Sequence, residues 1–413
     1  MDNVTHALAG VLTAEAAVQW RRRRGIEPDL AWRHAAWMAS ALAHNLPDAD
    51  VLYAYVTSGP LGYLLHHRGH THTLVLAPVF ATIAYAFGSW RARARGSAWS
   101  SSDRTWMAVL ALLGPLGHLA LDASNEYGVH PFWPLSNRWF YGDTIFILEP
   151  LFWAVAIPCV LFAATSRAPR VLFGGLLVAI LALAWATGEV PRPFAAFATS
   201  VAIGAMVTAW RMSPGKRIAS AVAGSGCVLA LFGIAGRAAE ARIRARVAVE
   251  YPGWRTLDVA RFPVPASPTC WHMVVVQREE QGDRYALRVL RASAWPALVP
   301  ARLCATRVRG IPTAPLVHRD RRDASVEPAG DFVGTRSELR RRATRCDFAA
   351  FLRFARTPFY ADRSAHDWIA GELRYDSDAA LGFGEVALPH DPPTRCPTLV
   401  PPWTAPRADL LAP

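Results

Sequence analysis

His66-His67-Arg68-Gly69-His70-Thr71-His72-Thr73 places four histidines within seven residues, at the mouth of the apolar run 72–90. Imidazoles clustered beside a hydrophobic segment are either metal ligands or an accident of composition. Residues that a metal would want recur along the chain: His6, Asp48 and Asp50, His118 and Asp122. Each sits near the end of an apolar segment. The fold therefore turns on whether those segments cross a membrane and carry their ends to one face.

The chain has 413 residues, of which 52% are hydrophobic, which is too apolar for an ordinary soluble protein. Its formal net charge is +12, carried almost wholly by arginine. Such a balance raises nucleic acid as a partner, but the arginines lie between apolar runs and no nucleic-acid motif is present, so none is expected. The start, Met1-Asp2-Asn3-Val4-Thr5-His6, lacks the basic opening of a cleavable signal peptide.

A spanning helix needs about 20 mostly apolar residues. The windows 72–90, 145–166, 171–188, 193–210 and 218–236 meet or approach that length, and 105–121 is shorter and runs into His118 and Asp122. Two weaker windows carry polar residues: 3–20 contains His6 and Glu15, and 34–57 contains His44, Asp48 and Asp50. A polar side chain in a span is costly, so it faces a bundle interior or has a function. An amphipathic interfacial helix remains the alternative for 3–20.

Loop charge orients the eight segments. Arg21 to Arg24 with Arg33, then Arg91, Arg93, Arg95 and Arg104, then Arg167 and Arg170, then Arg211, Lys216 and Arg217 fall in alternate loops. The intervening loops hold only Arg68, Arg138 and Arg192. The positive-inside rule makes the rich loops cytoplasmic and puts both chain ends outside. His6, Asp48, Asp50, the His66–His72 stretch, His118 and Asp122 then all fall on the outer face, although none of them is among the arginines and lysine that set the orientation.

Residues 122–144 form an outer loop rich in Trp and Tyr, with turns at Gly128, Pro131 and Pro134. It reads equally as an interfacial aromatic belt and as one wall of a substrate groove. From about residue 240 the long apolar runs stop. Trp271–Gln277 and Tyr285–Leu290 read as strands joined around Gly282-Asp283, and Phe348–Phe354 and Trp368–Tyr375 as further strands. The expected architecture is mainly α: a polytopic bundle of about eight transmembrane helices with a C-terminal β-rich soluble domain. Its divisions are 1–150, 151–239 for additional helices, and 240–413 for a periplasmic β-rich domain. Cys159 and Cys227 lie in apolar spans, whereas Cys270, Cys304, Cys346 and Cys396 lie in the soluble part. Outside the cell those four allow two disulfides, in any of three connectivities.

His118-x-x-x-Asp122 puts a nitrogen and a carboxylate on one helix face. Asp48-x-Asp50 follows Pro47, which starts a turn or breaks a helix. Histidine and carboxylate without thiolate suit zinc, or manganese or iron at higher coordination. Asp50 is a candidate ligand or general base, and Arg68 a candidate anion clamp. His34, His44, His272, His318, His366 and His390 read as ordinary structural histidines. A polar cluster that merely seals a helix bundle is the competing explanation. No H-E-x-x-H, G-x-S-x-G or P-loop pattern is present.

Taken together, these motifs resemble the YdjM-type family of bacterial membrane-bound metal-dependent hydrolases. The resemblance rests on Met1–His6 with Gly10, Leu46-Pro47-Asp48-Ala49-Asp50, His67–Thr73, Gly117-His118-Leu119-Ala120-Leu121-Asp122, and the loop Tyr127-Gly128 through Pro131–Ser136. It extends to Glu149-Pro150, where relatives carry Asp-Pro. It is specific over residues 1–150. The resemblance implies His72 as a ligand and His67 as a ligand or its support, and sets His66 and His70 aside. The order of residues is also similar to that of zinc-dependent phospholipase C and related nucleases, which implies a phosphoester. The further His and Glu ligands of those enzymes lack clear counterparts here, with His130 and Glu126 only possible stand-ins.

The resulting expectation is a multi-pass hydrolase of the bacterial inner membrane, with its metal site at the outer face. Metal ligands are expected among His6, Asp48, His72, His118 and Asp122, with Asp50, Arg68 and His67 in catalytic roles. Zinc is the expected ion. Partners are membrane lipids and an amphiphilic, phosphoester or lipid-linked substrate. The alternative is a non-enzymatic, metal-stabilised scaffold or assembly protein.

Overall fold

A computed structural model describes residues 1–57, 59–304, 324–375 and 381–412. His318 lies outside the described residues. The chain begins with α1 (Asn3–Arg23) and α2 (Leu30–Ala43), a 3-10 segment at Leu46–Tyr55, α3 (Gly59–His66), α4 (Ala77–Arg93) and α5 (Ser101–Asp122). It continues through α6 (Pro150–Ala163), α7 (Arg167–Ala186), α8 (Arg192–Arg211) and the long α9 (Pro214–Glu250). An antiparallel β region follows: β1 (Trp254–Val264), β2 (Ser267–Glu279), β3 (Arg284–Ser293) and β4 (Val326–Thr335), with α10 (Arg336–Ala343) and α11 (Cys346–Phe351) next. The chain closes with β5 (Pro358–Asp362), β6 (Asp367–Glu372), β7 (Glu385–Pro389) and α12 (Ala408–Leu411).

Two compact units result. The first comprises Met1–Ala49, His70–Gly233 and Pro265–Ser267; the second comprises Asp50–Gly69, Ile234–Val264 and Pro268–Pro413.

Local chemistry sets the helix ends of the first unit. The Asp2 carboxylate accepts from the backbone N–H groups of Val4 and Thr5 at the start of α1, and Asp29 accepts from Trp32 N–H to start α2. Ser100 and Asp103 form a reciprocal capping box on α5. Small residues let the helices close: Ala14, Ala17, Ala35, Ala36 and Ala39 pack with Trp32, Met107 and Leu110. A Cβ at Gly114 would lie 2.1 Å from Ala43 Cβ, so α5 rests on the end of α2 through bare backbone. Glu15 accepts from Arg33 and from the Trp37 indole, at 2.9 Å in each case. This neutralises a buried charge between α1 and α2.

α1 and α5 run antiparallel with contacts at both ends. His6 stacks on His118 with ring centroids 3.8 Å apart, and Arg21 donates to Asp103 at 2.6 Å. Each helix spends fifteen residues between those contacts, which is about 22 Å of helix. The arginine-rich ends and the histidine-rich ends therefore lie at opposite ends of the same pair.

Four helices are long and apolar enough to cross a membrane among the described residues: α5, α7, α8 and α9. The other expected spans are shorter or more polar. α6 is apolar but has 14 residues, and α4 has 17. The window 34–57 is not one helix. Its α-helix stops at Ala43, and the chain resumes as a 3-10 segment. Pro47 lacks the N–H that would continue the ladder.

In the second unit one sheet has the order β1-β2-β3-β4 and the other β5-β6-β7. The hairpin expected around Gly282-Asp283 is β2 against β3, with Trp271 opposite Ala292 and Gln277 opposite Ala286. Trp368 lies in β6. The stretch 348–354 is a correction: it is helical, as α11 and the turn that follows. Phe348 and Phe351 recur at helical spacing, stack at 6.1 Å and are both buried. A strand would have sent residues three apart to opposite faces. Disulfides join Cys270 to Cys304 and Cys346 to Cys396. Cys159 and Cys227 are free thiols.

Candidate metal centre

The helix ends of the first unit deliver four side chains to one point. Asp48 comes from the 3-10 segment after the break in α2, His72 from the turns before α4, and His118 and Asp122 from the last turns of α5. One ligand atom from each lies within 4.8 Å of the others. His72 Nε2 is 2.9 Å from His118 Nε2, 3.3 Å from Asp48 Oδ1 and 3.2 Å from Asp122 Oδ2. His118 Nε2 is 3.6 Å from Asp48 Oδ1 and 3.3 Å from Asp122 Oδ2. The corners of a tetrahedron with bonds of about 2.0–2.1 Å are about 3.3 Å apart, so these spacings fit a small divalent ion. Two imidazoles and two carboxylates without thiolate are a donor set for zinc, manganese or iron.

The partners behind these atoms aim them. α2 ends at His44, and the backbone carbonyls of a final turn lack helical partners. His118 Nδ1–H donates to the His44 carbonyl at 2.6 Å. That bond places the remaining lone pair of His118 on Nε2, toward the cluster. His72 Nδ1 is 3.0 Å from Thr71 Oγ1. Asp48 turns Oδ1 to the imidazoles, while its Oδ2 accepts from Asn3 Nδ2 at 3.2 Å. Asp122 divides its two oxygens likewise. Oδ2 faces His72 and His118, and Oδ1 meets His6 Nε2 at 3.2 Å and the Met1 amino group.

His6 is thus placed on Asp122 and against the His118 ring, outside the four converging atoms. The side chains of His6, His72, His118 and Asp122 are fully buried, and Asp48 is 11% exposed. Among these five, solvent reaches only Asp48.

Asp50, His67 and Arg68 belong to the second unit. His67 Nδ1–H donates to Asp50 Oδ1 at 3.0 Å, and the Arg68 backbone N–H donates to Asp50 Oδ2 at 2.8 Å. Arg68 is buried and adopts φ 58°, a conformation that aims its amide back at that carboxylate. Burial lowers the His66 imidazole below its ordinary pKa. His70 meets the edge of Trp133 at 4.6 Å in the first unit.

In the aromatic loop of the first unit, Val129 pairs with Phe140 and His130 stacks on Trp139 at 4.2 Å. Gly128 supplies the turn with φ 84°. His130 and Glu126 are buried there, but neither is among the four clustered ligands.

Two supports escaped the sequence reading. Asn3 orients Asp48, and His44 acts through its carbonyl rather than its ring. The available signals were modest: Asn3 sits inside the Met1–His6 motif, and His44 immediately precedes the helix break.

Residues 1–190 match the family model described as the YdjM inner membrane protein. No curated protein and no solved structure matches the chain.

Proposed function

Residues 1–190 belong to the YdjM inner membrane protein family, and from that premise we propose that the chain is a membrane-bound metal-dependent hydrolase. Its proposed substrate is a phosphoester or lipid-linked compound met at the outer face of the membrane. The observation that carries this reading is the convergence of Asp48, His72, His118 and Asp122, with one ligand atom of each within 4.8 Å of the others.

We assign those four as the ligands of zinc, with manganese or iron as the other ions this donor set accepts. An ion there would supply Lewis acidity and, with a further coordination position open to water, would lower the pKa of that water toward about 7. The protein's own groups prepare the site. His118 is held in one tautomer by the His44 carbonyl, Asn3 orients Asp48, and His6 orients Asp122. Asp50, two residues beyond Asp48 in the chain, is the proposed proton acceptor. The Asp50–His67 bond leaves a lone pair on His67 Nε2. Arg68 is the proposed anchor for an anionic group.

The outer location is supported by the opposite placement of ligands and arginines on α1 and α5, together with the positive-inside rule. The two disulfides of the second unit favour a periplasmic location for that part. Membrane lipid is then the immediate environment, and an amphiphilic substrate the natural partner.

A non-enzymatic scaffold has its own supporting observation: four protein ligands with little exposure are also how a structural zinc site is built. Elemental analysis of the detergent-purified protein beside a His118→Ala/Asp122→Ala variant tests for the ion. Phosphoester and lipid-phosphate turnover by the metal-loaded wild type then separates the two readings. Bound metal that confers heat resistance without turnover would favour the scaffold; absence of metal after metal-replete purification would end both.

A further inference from the structure

We propose that the C-terminal β-rich part positions the Asp50–His67 pair, with Phe383 and Trp403 as positioning residues; calling the pair a working part of the site rests on the hydrolase reading above. Residues Asp50–Gly69 are grouped with the C-terminal residues, not with the helices that flank them in sequence. α3 packs against α11.

A file of rings also runs from this segment into the C-terminal residues. The His67 imidazole stacks on Tyr63 at 4.9 Å and 20°. Tyr63 meets the edge of Phe383 at 6.0 Å, Phe383 meets the edge of Tyr375 at 5.1 Å, and Tyr375 stacks on Phe354 at 6.2 Å. A second support holds the far end of the segment. A Cβ on Gly69 would lie 2.9 Å from Trp403 Cη2, so the backbone just after Arg68 rests directly on a buried indole. The tail that carries this indole is tied down by Arg353, which donates to the carbonyls of Pro401 and Trp403.

These contacts have a chemical consequence. The hydrogen bond to Asp50 keeps the proton on Nδ1 only while the ring holds its orientation. The Tyr63 face limits rotation, and Phe383 keeps Tyr63 in place. The indole under Gly69 holds the backbone from which the Arg68 N–H reaches Asp50. Both members of the pair are therefore set by residues more than 300 positions away in sequence. Phe383 is also 46% exposed, so removing its ring breaks the file without opening a core.

Nitrogen-15 NMR of the full-length, histidine-labelled protein in lipid bilayers tests this after chelator treatment. The His67 signals are assigned by their disappearance in His67→Gln. The wild type is expected to show one His67 tautomer, protonated at Nδ1. Phe383→Ala and Trp403→Ala are expected to lose that single state to a mixture, Phe383→Tyr to keep it, and Leu298→Ala, an exposed change in the same unit, to leave it unaltered. Detection of the Cys346–Cys396 disulfide checks that each variant has folded. An unchanged His67 tautomer in folded Phe383→Ala and Trp403→Ala would overturn the proposal. Metal content measured on portions of the same preparations before chelation keeps the two ideas separate. A wild type without metal would sink the hydrolase reading, while the tautomer result would still decide the positioning role.

Discussion

His72 Nε2 and His118 Nε2 lie 2.9 Å apart although 46 residues separate them in the chain. The Nδ1–H of His118 is already given to a carbonyl, so its Nε2 faces the cluster as a lone pair. Two carboxylate oxygens complete the group. A divalent cation relieves that concentration of electron density. Wild-type protein is therefore expected to carry about one tightly held ion per cluster, and His118→Ala/Asp122→Ala to carry none. Elemental analysis of the two proteins, purified side by side, decides it. Full metal content in the double variant would remove these residues from the site.

Asn3 is expected to matter through Asp48. Its amide holds one carboxylate oxygen so that the other faces the imidazoles. Loss of such an orienting partner costs about 10–100-fold in metal affinity. Asn3→Ala should show that loss in a competition titration with a chromophoric chelator, with the helical content unchanged. An unaltered affinity would mean that Asp48 is held by other groups.

The close approach of α5 to α2 is expected to be intolerant of a methyl group. Gly114→Ala would drive a Cβ into Ala43, whereas Gly175 has open space around it. Overpacking of this kind costs about 1–3 kcal/mol. Gly114→Ala should lower the thermal midpoint and shift His118 away from its partners, while Gly175→Ala should do neither. Equal midpoints for the two variants would argue against this close packing of α5 on α2.

Acid should weaken the second unit through Asp258. Burial pushes this carboxyl up, and the Arg356 and Arg407 guanidiniums outweigh that effect, leaving it at about 2 instead of 3.8. A carboxyl lowered in the folded state contributes stability above its unfolded value. That contribution is lost as pH falls from about 4 through about 2, and amounts to about 2 kcal/mol. Denaturant titrations of the full chain should show the loss in that window, and Arg356→Met should show less of it. An identical acid slope in the variant would remove the pair from the account.

Thiol counting is expected to report the compartment of the second unit. Four cysteines are paired, and Cys159 and Cys227 are not. Alkylation in denaturant without reductant, followed by mass spectrometry, should find two thiols in protein taken from the membrane, and six after denaturing reduction. The Cys346–Cys396 bridge spans a separation of 50 residues, and closing such a loop stabilises by about 4 kcal/mol on the chain-entropy model. Its removal by Cys346→Ser/Cys396→Ser should lower the denaturation midpoint. Six free thiols in membrane-extracted protein would argue for a cytoplasmic second unit.

The sequence by itself determined the elements whose cause is local. Apolar length marked α7, α8 and α9, marked α5 only as a shorter window, and overstated 72–90 and 145–166, whose helices α4 and α6 have 17 and 14 residues; alternation with a Gly-Asp turn marked the β2–β3 hairpin. The i, i+4 spacing of His118 and Asp122 put both on one helix face. Pro47 signalled that α2 would not run on, yet not where it would stop. Phe348–Phe354 reads as a strand in the sequence, but a short apolar stretch suits either structure, and burial on one helical face makes it a helix. What only the tertiary structure decided depends on distance between remote residues. It brought Asp48 and His72 to the end of α5, set His6 behind Asp122, and turned a backbone carbonyl at His44 into the group that orients His118. It also grouped Asp50 and His67 with the C-terminal residues. Periodicity reports which face of an element is apolar, whereas packing alone reports which faces meet.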